Sequence, residues 1–385
     1  MTSARKLLLV VGTRPEVIKQ APLYFSAIQG GAWKPSVCFT GQHRELGLQM
    51  LGDLGLPVDT DLDLMRPDQT PADFLGSAVP ALAGLIRRER PAWVAVQGDT
   101  TTALAGAIAG FYEKTPVLHV EAGLRTRNLA LPFPEEGHRQ LVSRLAAAHA
   151  APTPGAAEEL KREGTDPGTV LVCGNTGIDC LLRVIAALRS RGEGPPAALP
   201  AALAAALVRE NPASPDAHVV LVTLHRRESF GEPLAGMCRA LRRLAHENPA
   251  AVFILPVHPN PAVRDTIRGI LGGLGNLHLI DPQPYTAFAW LLDRCTFVVT
   301  DSGGLQEEGP ALGKPVLVLR DVTERPEAVA CGAAELVGCG EQAIHAAATR
   351  MLRDRDAYLL RAVPRFPYGD GTAADKILAW LVGRG

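Results

Sequence analysis

Two carboxylate-bearing stretches carry the strongest chemical signal in this sequence. One is His119-Val120-Glu121-Ala122-Gly123-Leu124-Arg125-Thr126, and the other, a few residues on, is Pro132-Phe133-Pro134-Glu135-Glu136. An apolar run that ends in an acid and an arginine, followed by proline-stiffened paired carboxylates, is a poor recipe for a core. It suits acid/base chemistry on an anionic substrate. Loops suited to an anion lie on either side. In Gly12-Thr13-Arg14-Pro15-Glu16-Val17-Ile18-Lys19, Pro15 suits a first helical turn, and Arg14 and Lys19 can reach an anion. In Thr300-Asp301-Ser302-Gly303-Gly304-Leu305-Gln306-Glu307-Glu308, small residues at a helix start leave N–H groups open to a diphosphate. Glu307 or Glu308, one turn in, could accept from ribose hydroxyls. Gly98-Asp99-Thr100-Thr101-Thr102 and Leu224-His225-Arg226-Arg227-Glu228-Ser229 are further polar loops of this kind. A capped helix or a plain turn explains each of them singly. It does not explain why they recur at strand ends in both halves of the chain.

Something must hold these loops together. Short apolar runs at 7–11, 36–40, 93–97, 117–120 and 170–173 alternate with helical segments, and the pattern restarts at 219–223, 252–257, 277–280, 297–300 and 316–319. Such alternation predicts parallel sheets with helices on both faces, and ligands in such sheets sit beyond the carboxyl ends of the strands. At 385 residues the chain fits two domains, 1–178 and 179–369, with a terminal helical stretch 370–385 placed to pack back on the first. Between the two series lie a Gly/Pro-rich segment 191–200, an Ala/Leu-rich segment to Val208 and a turn at 211–215, read as a surface helix with flexible flanks.

Composition narrows the chemistry. Hydrophobic residues at 47% and charged residues at 21% permit a large core, and 39 Lys plus Arg against 40 Asp plus Glu leave no general attraction for nucleic acid or membranes. No GxGxxG follows the first strand and no GxxxxGK[ST] occurs, which argues against a dinucleotide cofactor and a P-loop. The loops around His225 and His258 lack metal-ligand spacing, so no metal and no other cofactor is expected. Cys38, Cys173, Cys180, Cys238, Cys295, Cys331 and Cys339 are scattered singly, as reduced core thiols would be. The amino terminus enters its first strand at once, too short a run for a signal peptide or a span, so a cytoplasmic address is expected.

These motifs occur in one order along nearly the whole chain, and in that order the sequence resembles the non-hydrolysing UDP-N-acetylglucosamine 2-epimerases. The matching strings include Gly12-Thr13-Arg14-Pro15-Glu16, Gly41-Gln42-His43-Arg44-Glu45, the Asp99, Glu121 and Glu135 stretches, Gly174-Asn175-Thr176, His225-Arg226-Arg227-Glu228, Pro256-Val257-His258-Pro259-Asn260-Pro261, the Ser302 loop, Thr323-Glu324-Arg325-Pro326-Glu327 and Pro367-Tyr368-Gly369-Asp370-Gly371. The resemblance implies an α/β chain of two Rossmann-like domains, glycosyltransferase-B-like, with the active site in the interdomain cleft. It implies elimination of UDP across C1 and C2 to a 2-acetamidoglucal and re-addition with the opposite configuration at C2. Carried over residue by residue, Asp99, Glu121 and Glu135 are the acid/base candidates, and Arg14, Lys19 and His225 bind or polarise the diphosphate. Ser302, Gly303, Gly304, Glu308 and Arg325 take the uridine nucleotide. Gln42, Glu136, Arg226 and His258 match positions at which relatives bind a second UDP-N-acetylglucosamine as an allosteric activator. A homodimer is also implied.

The chain departs from the family pattern in places. His138 stands where bacterial members commonly have asparagine, which is either a packing change or a change in what is read on the sugar. Asp68 stands where relatives commonly have glycine, and Phe366 begins a string that usually begins with asparagine. Three other readings stay open at this point: a 2-epimerase of a modified UDP-sugar such as a diacetamido uronic acid, a glycosyltransferase on the same fold, and a nucleotide-sugar-binding regulator without catalysis. Acids at Asp99, Glu121 and Glu135 disfavour the last, because carboxylates beside a diphosphate oppose simple binding.

Overall fold

The computed structural model describes residues 4–192, 194–197, 199–209, 218–226 and 230–384. The chain divides into two compact units, Met1–Leu182 with Tyr368–Gly385, and Arg183–Pro367. In the first unit the elements run β1 (Arg5–Val11), α1 (Arg14–Gly30), β2 (Trp33–Phe39), α2 (Arg44–Leu54), β3 (Thr60–Asp61), α3 (Pro71–Glu89), β4 (Trp93–Gln97), α4 (Thr101–Tyr112), β5 (Val117–Val120), α5 (Glu135–Leu145), β6 (Ala148–Ala151), α6 (Pro154–Arg162), β7 (Val170–Val172) and α7 (Thr176–Arg191), on which the chain leaves the unit. The second unit continues with α8 (Ala201–Arg209), β8 (Val219–Thr223), α9 (Glu232–Glu247), β9 (Val252–Pro256), α10 (Pro261–Leu271), β10 (Leu277–Ile280), α11 (Tyr285–Arg294), β11 (Phe297–Thr300), α12 (Leu305–Ala311), β12 (Val316–Val318), α13 (Pro326–Ala330), β13 (Ala334–Leu336), α14 (Glu341–Arg353) and α15 (Arg355–Arg361). Helix α16 (Ala373–Val382) belongs to the first unit again.

Each unit is built on one parallel sheet, in the order β3-β2-β1-β4-β5-β6-β7 and β10-β9-β8-β11-β12-β13. Side chains of the central strands are shut off from water on both faces. Leu7, Leu9, Val10 and Val11 of β1 and Val220 and Leu221 of β8 are all 0% exposed, which is what helices covering both sides of a parallel sheet require. In both sheets the strand order reverses beside the first strand, between β1 and β4 and between β8 and β11. The loops that leave the carboxyl ends of such a pair run to opposite faces and open a crevice, the usual ligand position in a doubly wound sheet. The Gly12 and Asp99 loops leave one such pair, and the His225 and Asp301 loops leave the other. This is the α/β, Rossmann-like, glycosyltransferase-B-like fold.

Strands β3, β6 and β13 were not among the apolar runs read from the sequence. The Ala/Leu-rich segment forms α8, but it buries Leu203 and Leu207, so it contributes core as well as surface. The turn expected at 211–215 and the residues 227–229 of the His225 loop lie outside the described residues. All seven cysteines are present as thiols. Burial pushes the thiols of Cys38, Cys173, Cys238 and Cys295 up to about 12, so they stay protonated and unreactive. Among the described residues no helix is long and apolar enough to cross a membrane. Helix α16 packs on α1 and is bonded to β2 and α7 as well: Trp33 Nε1–H donates to Leu378 O at 3.2 Å, and Asp179 Oδ2 accepts from Ala374 N–H at 2.7 Å at the open end of the helix.

Candidate active site

Glu121 is the first residue beyond β5 and takes a left-handed backbone, φ 61°, a conformation that an ordinary side chain adopts at a cost of about 1–2 kcal/mol. Its surroundings fix it there. Lys19, one turn into α1, donates through Nζ to Oε1 at 2.5 Å and Oε2 at 2.6 Å. Gln97 Nε2, at the end of β4, donates to Oε2, and Asn175 Nδ2 donates to Oε1 at 3.1 Å. A carboxylate in a strained backbone position, gripped by a cation and two amides, marks a candidate functional residue.

Asp99 emerges beside it. Strands β4 and β5 pair in parallel with Gln97 opposite Val120, and Gly98 N–H donates to Val120 O at 3.0 Å, so the residues that follow lie on adjacent strand ends. Burial raises the proton affinity of Asp99. The Arg139 guanidinium opposes that rise and the negative charge of Glu121 adds to it. Arg139 Nη2 donates to Asp99 Oδ2 at 2.5 Å, and its Nη1 lies 3.4 Å from Glu136 Oε2. His138 Nδ1 makes a 3.0 Å hydrogen bond with the backbone oxygen of Asp99, so the residue that departs from the family pattern braces this loop. Glu135, half-buried at the first position of α5, precedes Arg139 by four residues and so shares its helical face. Among the described residues its carboxylate has no hydrogen bond or ion pair.

Behind these acids, buried polar groups tie the loops to one another. Glu16 is 0% exposed; its Oε2 accepts from Gly12 N–H, Thr13 N–H and Thr13 Oγ1–H, and its Oε1 accepts from Thr100 Oγ1–H at 2.6 Å, next to Asp99. A Cβ at Gly12 would lie 2.2 Å from the hydroxyls of both Thr40 and Thr102, which accounts for glycine there. His119, wholly buried, hydrogen-bonds Gly98 O at 2.8 Å through Nε2, and burial drives its pKa down to about 3. It is therefore neutral and donates from Nε2. Arg14 is exposed and its charge reaches His43, whose proton affinity is lowered first by burial and then by that charge.

Gln42 and Glu136, assigned by resemblance to an activator, turn their oxygens inward. Gln42 Oε1 accepts from Thr102 N–H at 3.0 Å and Thr102 Oγ1–H at 2.8 Å. Glu136, 0% exposed, accepts from Thr126 N–H, Arg127 N–H and Gln140 Nε2–H, pinning the loop after Glu121 to α5. Burial raises the proton affinity of Glu136, but these donors outweigh it and hold the carboxyl below its ordinary range.

In the second unit the site is built on Asp301. Its Oδ2 accepts the N–H groups of His225 and Arg226, each at 2.9 Å, and its Oδ1 lies 3.0 Å from His225 Nδ1. Burial works against the charge of Asp301, yet His225 and the two N–H groups keep its pKa below the usual value. The loop at the end of β8 is thereby locked to the loop at the end of β11, and His258 stacks on His225 with ring centroids 6.5 Å apart. Gly303 lies between two guanidinium groups: a Cβ there would be 3.5 Å from Arg226 Nη2 and 3.5 Å from Arg325 Cζ. Arg325 Nε donates to Glu307 Oε1 at 2.9 Å, which aims it. Two arginines over the Ser302-Gly303-Gly304 loop make a cationic seat, with Glu308 half-buried in the turn that follows.

Sequence reasoning missed Gln97, Asn175, Arg139 and Glu16 as parts of the site. Gln97 ends a strand on its last apolar beat and Arg139 is one helical turn beyond Glu135; both spacings were available signals. Lys19, expected to reach a ligand anion, is bonded to Glu121. Among the described residues no group of three or more His, Cys, Asp or Glu side chains is placed to hold a metal ion.

Comparison with known proteins gives a consistent result. A sequence family described as UDP-N-acetylglucosamine 2-epimerase matches residues 27–382. The UDP-N-acetylglucosamine 2-epimerase of Yersinia pestis is 44% identical over 376 residues, and that of Escherichia coli K12 is 42% identical over 377, each alignment covering 98% of both chains. The crystal structure of the Neisseria meningitidis UDP-GlcNAc 2-epimerase bound to UDP-GlcNAc superposes with a TM-score of 0.85 at 39% identity, covering 98% of this chain and 100% of that one. Matched over nearly its whole length by these proteins, the chain belongs to the UDP-N-acetylglucosamine 2-epimerase family.

Proposed function

We propose that this protein catalyses the reversible conversion of UDP-N-acetylglucosamine to UDP-N-acetylmannosamine by elimination and re-addition of UDP. One group removes the C2 proton; the electron pair forms the C1=C2 bond of a 2-acetamidoglucal as the C1–O bond breaks and its pair leaves on UDP. A UDP oxygen then adds back to C1 while a proton is delivered to the other face of C2, so atoms and charge balance. The C2 proton is only weakly acidic, so this route needs a positioned base and, most simply, a second group for the opposite face. The observation that carries the reading is the pair of adjacent carboxyls with different surroundings: Glu121 bonded to the Lys19 ammonium, and Asp99 raised in proton affinity by burial. Unlike environments give two acids unlike roles.

Glu135, with its carboxylate on the face of α5 that carries Arg139 to Asp99, is the third acid/base group. Arg14, Lys19 and His225 stabilise the charge that builds on the leaving diphosphate, where cations lower the transition state more than the ground state. Ser302, Gly303, Gly304, Glu308 and Arg325 hold the nucleotide. Incubation with UDP-N-acetylglucosamine in deuterated water tests the reading: deuterium at C2 together with the manno epimer is expected, and unchanged substrate with folded protein would refute it.

Three finer readings accompany this one. A second molecule of UDP-N-acetylglucosamine acts as activator through Gln42, Glu136, Arg226 and His258; equal initial rates from UDP-N-acetylmannosamine with and without it would exclude that role. The chain works as a homodimer, consistent with Phe111 and Tyr112 at 57% and 71% exposure at the end of α4, and light scattering of the purified protein checks this. It acts in the cytoplasm, where reduced cysteines persist.

A further inference from the structure

The chain leaves β7 through Gly174, enters α7 on its way out of the first unit, and re-enters that unit at Tyr368. The outgoing and returning passages meet backbone to backbone. Asn175 N–H donates to Tyr368 O at 2.6 Å. Neither passage has room for a side chain at the meeting point: a Cβ on Gly174 would lie 2.7 Å from Gly369 Cα, and one on Gly369 would lie 2.9 Å from Gly174 Cα. Both glycines also have positive φ, 98° and 112°, so contact and conformation both demand glycine.

Asn175, 3% exposed, joins this meeting point to Glu121. Its Oδ1 accepts from Gly177 N–H at 2.9 Å, turning the chain into α7, and its Nδ2 donates to Glu121 Oε1 at 3.1 Å. The turn alone would be served equally by aspartate, which offers the same acceptor. Only an amide of this length combines that acceptor with a donor for a carboxylate.

We propose that Asn175 is a positioning residue for the epimerisation, tying the Glu121 carboxylate to the point where the two passages meet, so that the seating of the chain at Gly369 governs how Glu121 is held. The proposal rests on the reading of Glu121 as an acid/base group.

Asn175→Asp is nearly isosteric and keeps the acceptor for Gly177, but it turns an oxygen toward Glu121. A lost donor and an added like charge both favour the protonated form of Glu121. The expected result is a kcat at neutral pH lower by about tenfold or more, a KM within about twofold of wild type, and an upward shift of about 1 unit or more in the pH limb set by Glu121. Gly369→Ala touches no atom of Glu121, yet it displaces Tyr368 from Asn175 and should move the same limb in the same direction. A folded Gly369→Ala with the wild-type limb would break the link to the meeting point and overturn the proposal; if that variant fails to fold, Asn175→Asp decides alone. An Asn175→Asp enzyme with wild-type kcat and wild-type limb would also overturn it. Carbon-13 NMR of the Glu121 carboxyl in the full chain, assigned with Glu121→Gln, makes the same comparison without turnover. An identical titration in Asn175→Asp overturns the positioning role, whereas a wild type that neither epimerises nor exchanges its C2 hydrogen defeats the functional reading instead.

Discussion

Replacing Glu16 by glutamine removes a negative charge from a place that water does not reach. Two effects oppose each other at this carboxyl. Burial disfavours the ionised form, while the N–H groups of Gly12 and Thr13 and the hydroxyls of Thr13 and Thr100 donate to it and favour that form. Burial is the larger effect, and it raises the pKa from 4.5 to about 7. A carboxyl whose folded pKa lies above its unfolded value contributes stability that is fully present below the unfolded pKa and is lost as pH rises through the folded one. At about 1.4 kcal/mol per pH unit, that interval amounts to about 3 kcal/mol.

Glutamine has no charge to remove from water, and it can keep Oε1 on the three donors of the Gly12-Thr13 turn while its amide meets the Thr100 hydroxyl. Glu16→Gln should therefore gain on wild type by about 3 kcal/mol between pH 4.5 and 8, with most of the change between 4.5 and 7. For a unit of 150–250 residues each kcal/mol moves the midpoint by roughly 2–4 °C, so the two melting curves should separate by roughly 6–12 °C over that window. Differential scanning calorimetry across the pH series measures it directly. A difference independent of pH would mean that Glu16 does not titrate there, and a difference of opposite slope would mean that the four donors outweigh burial; either result refutes the reasoning.

Three further outcomes follow from the geometry. Asp99→Asn, Glu121→Gln and Glu135→Gln should each lower kcat by at least about a hundredfold, the scale of lost acid/base catalysis, and near-normal turnover in any of them removes that residue from the chemistry. Arg325→Ala should weaken UDP binding by about tenfold or more in titration calorimetry, as the loss of a charged hydrogen-bond donor does, and an unchanged Kd would empty the seat beside Gly303 of its role. Burial raises the Asp179 carboxyl to about 6 against the donors at the start of α16, so its support of that helix is fully present below the ordinary value of 3.8 and is lost as pH rises through about 6. Hydrogen exchange of α16, corrected for intrinsic rates, should show protection falling over that window in wild type and not in Asp179→Asn; equal dependence in both would clear Asp179.

The parts of the fold visible from the residues were those whose burial leaves a mark on composition. Strands β1, β4, β8 and β11 are central, covered on both faces, and read as apolar runs dominated by Leu, Val and large or small apolar residues. Strand β6 is covered just as completely, but its residues Ala148-His149-Ala150-Ala151 carry no such run. His149 can occupy a strand because its ring bonds Ser143 O, six residues back, at 2.9 Å, a partner that no hydrophobic pattern announces. Strands β3 and β13 are sheet edges of two and three residues, too short to form a pattern.

A similar division runs through the site. Asp99, Glu121 and His225 were legible because an ionisable residue within two positions of the end of a buried strand is conspicuous, and because strand order decides which such residues become neighbours. The groups that hold them are amides and arginines of common type, and their partners are distant in sequence: Asn175 lies 54 residues from Glu121, and Arg139 lies 40 from Asp99. An amide at the end of a strand reads as a turn former until the fold shows a carboxylate opposite its donor. Where Glu121 alone would be a strained acid, Gln97 and Asn175 supply the two donors that a carboxylate needs besides its cation. The candidate residue types could therefore be inferred residue by residue. Their arrangement could not, because it depends on β4, β5 and β7 ending at one edge of the same sheet.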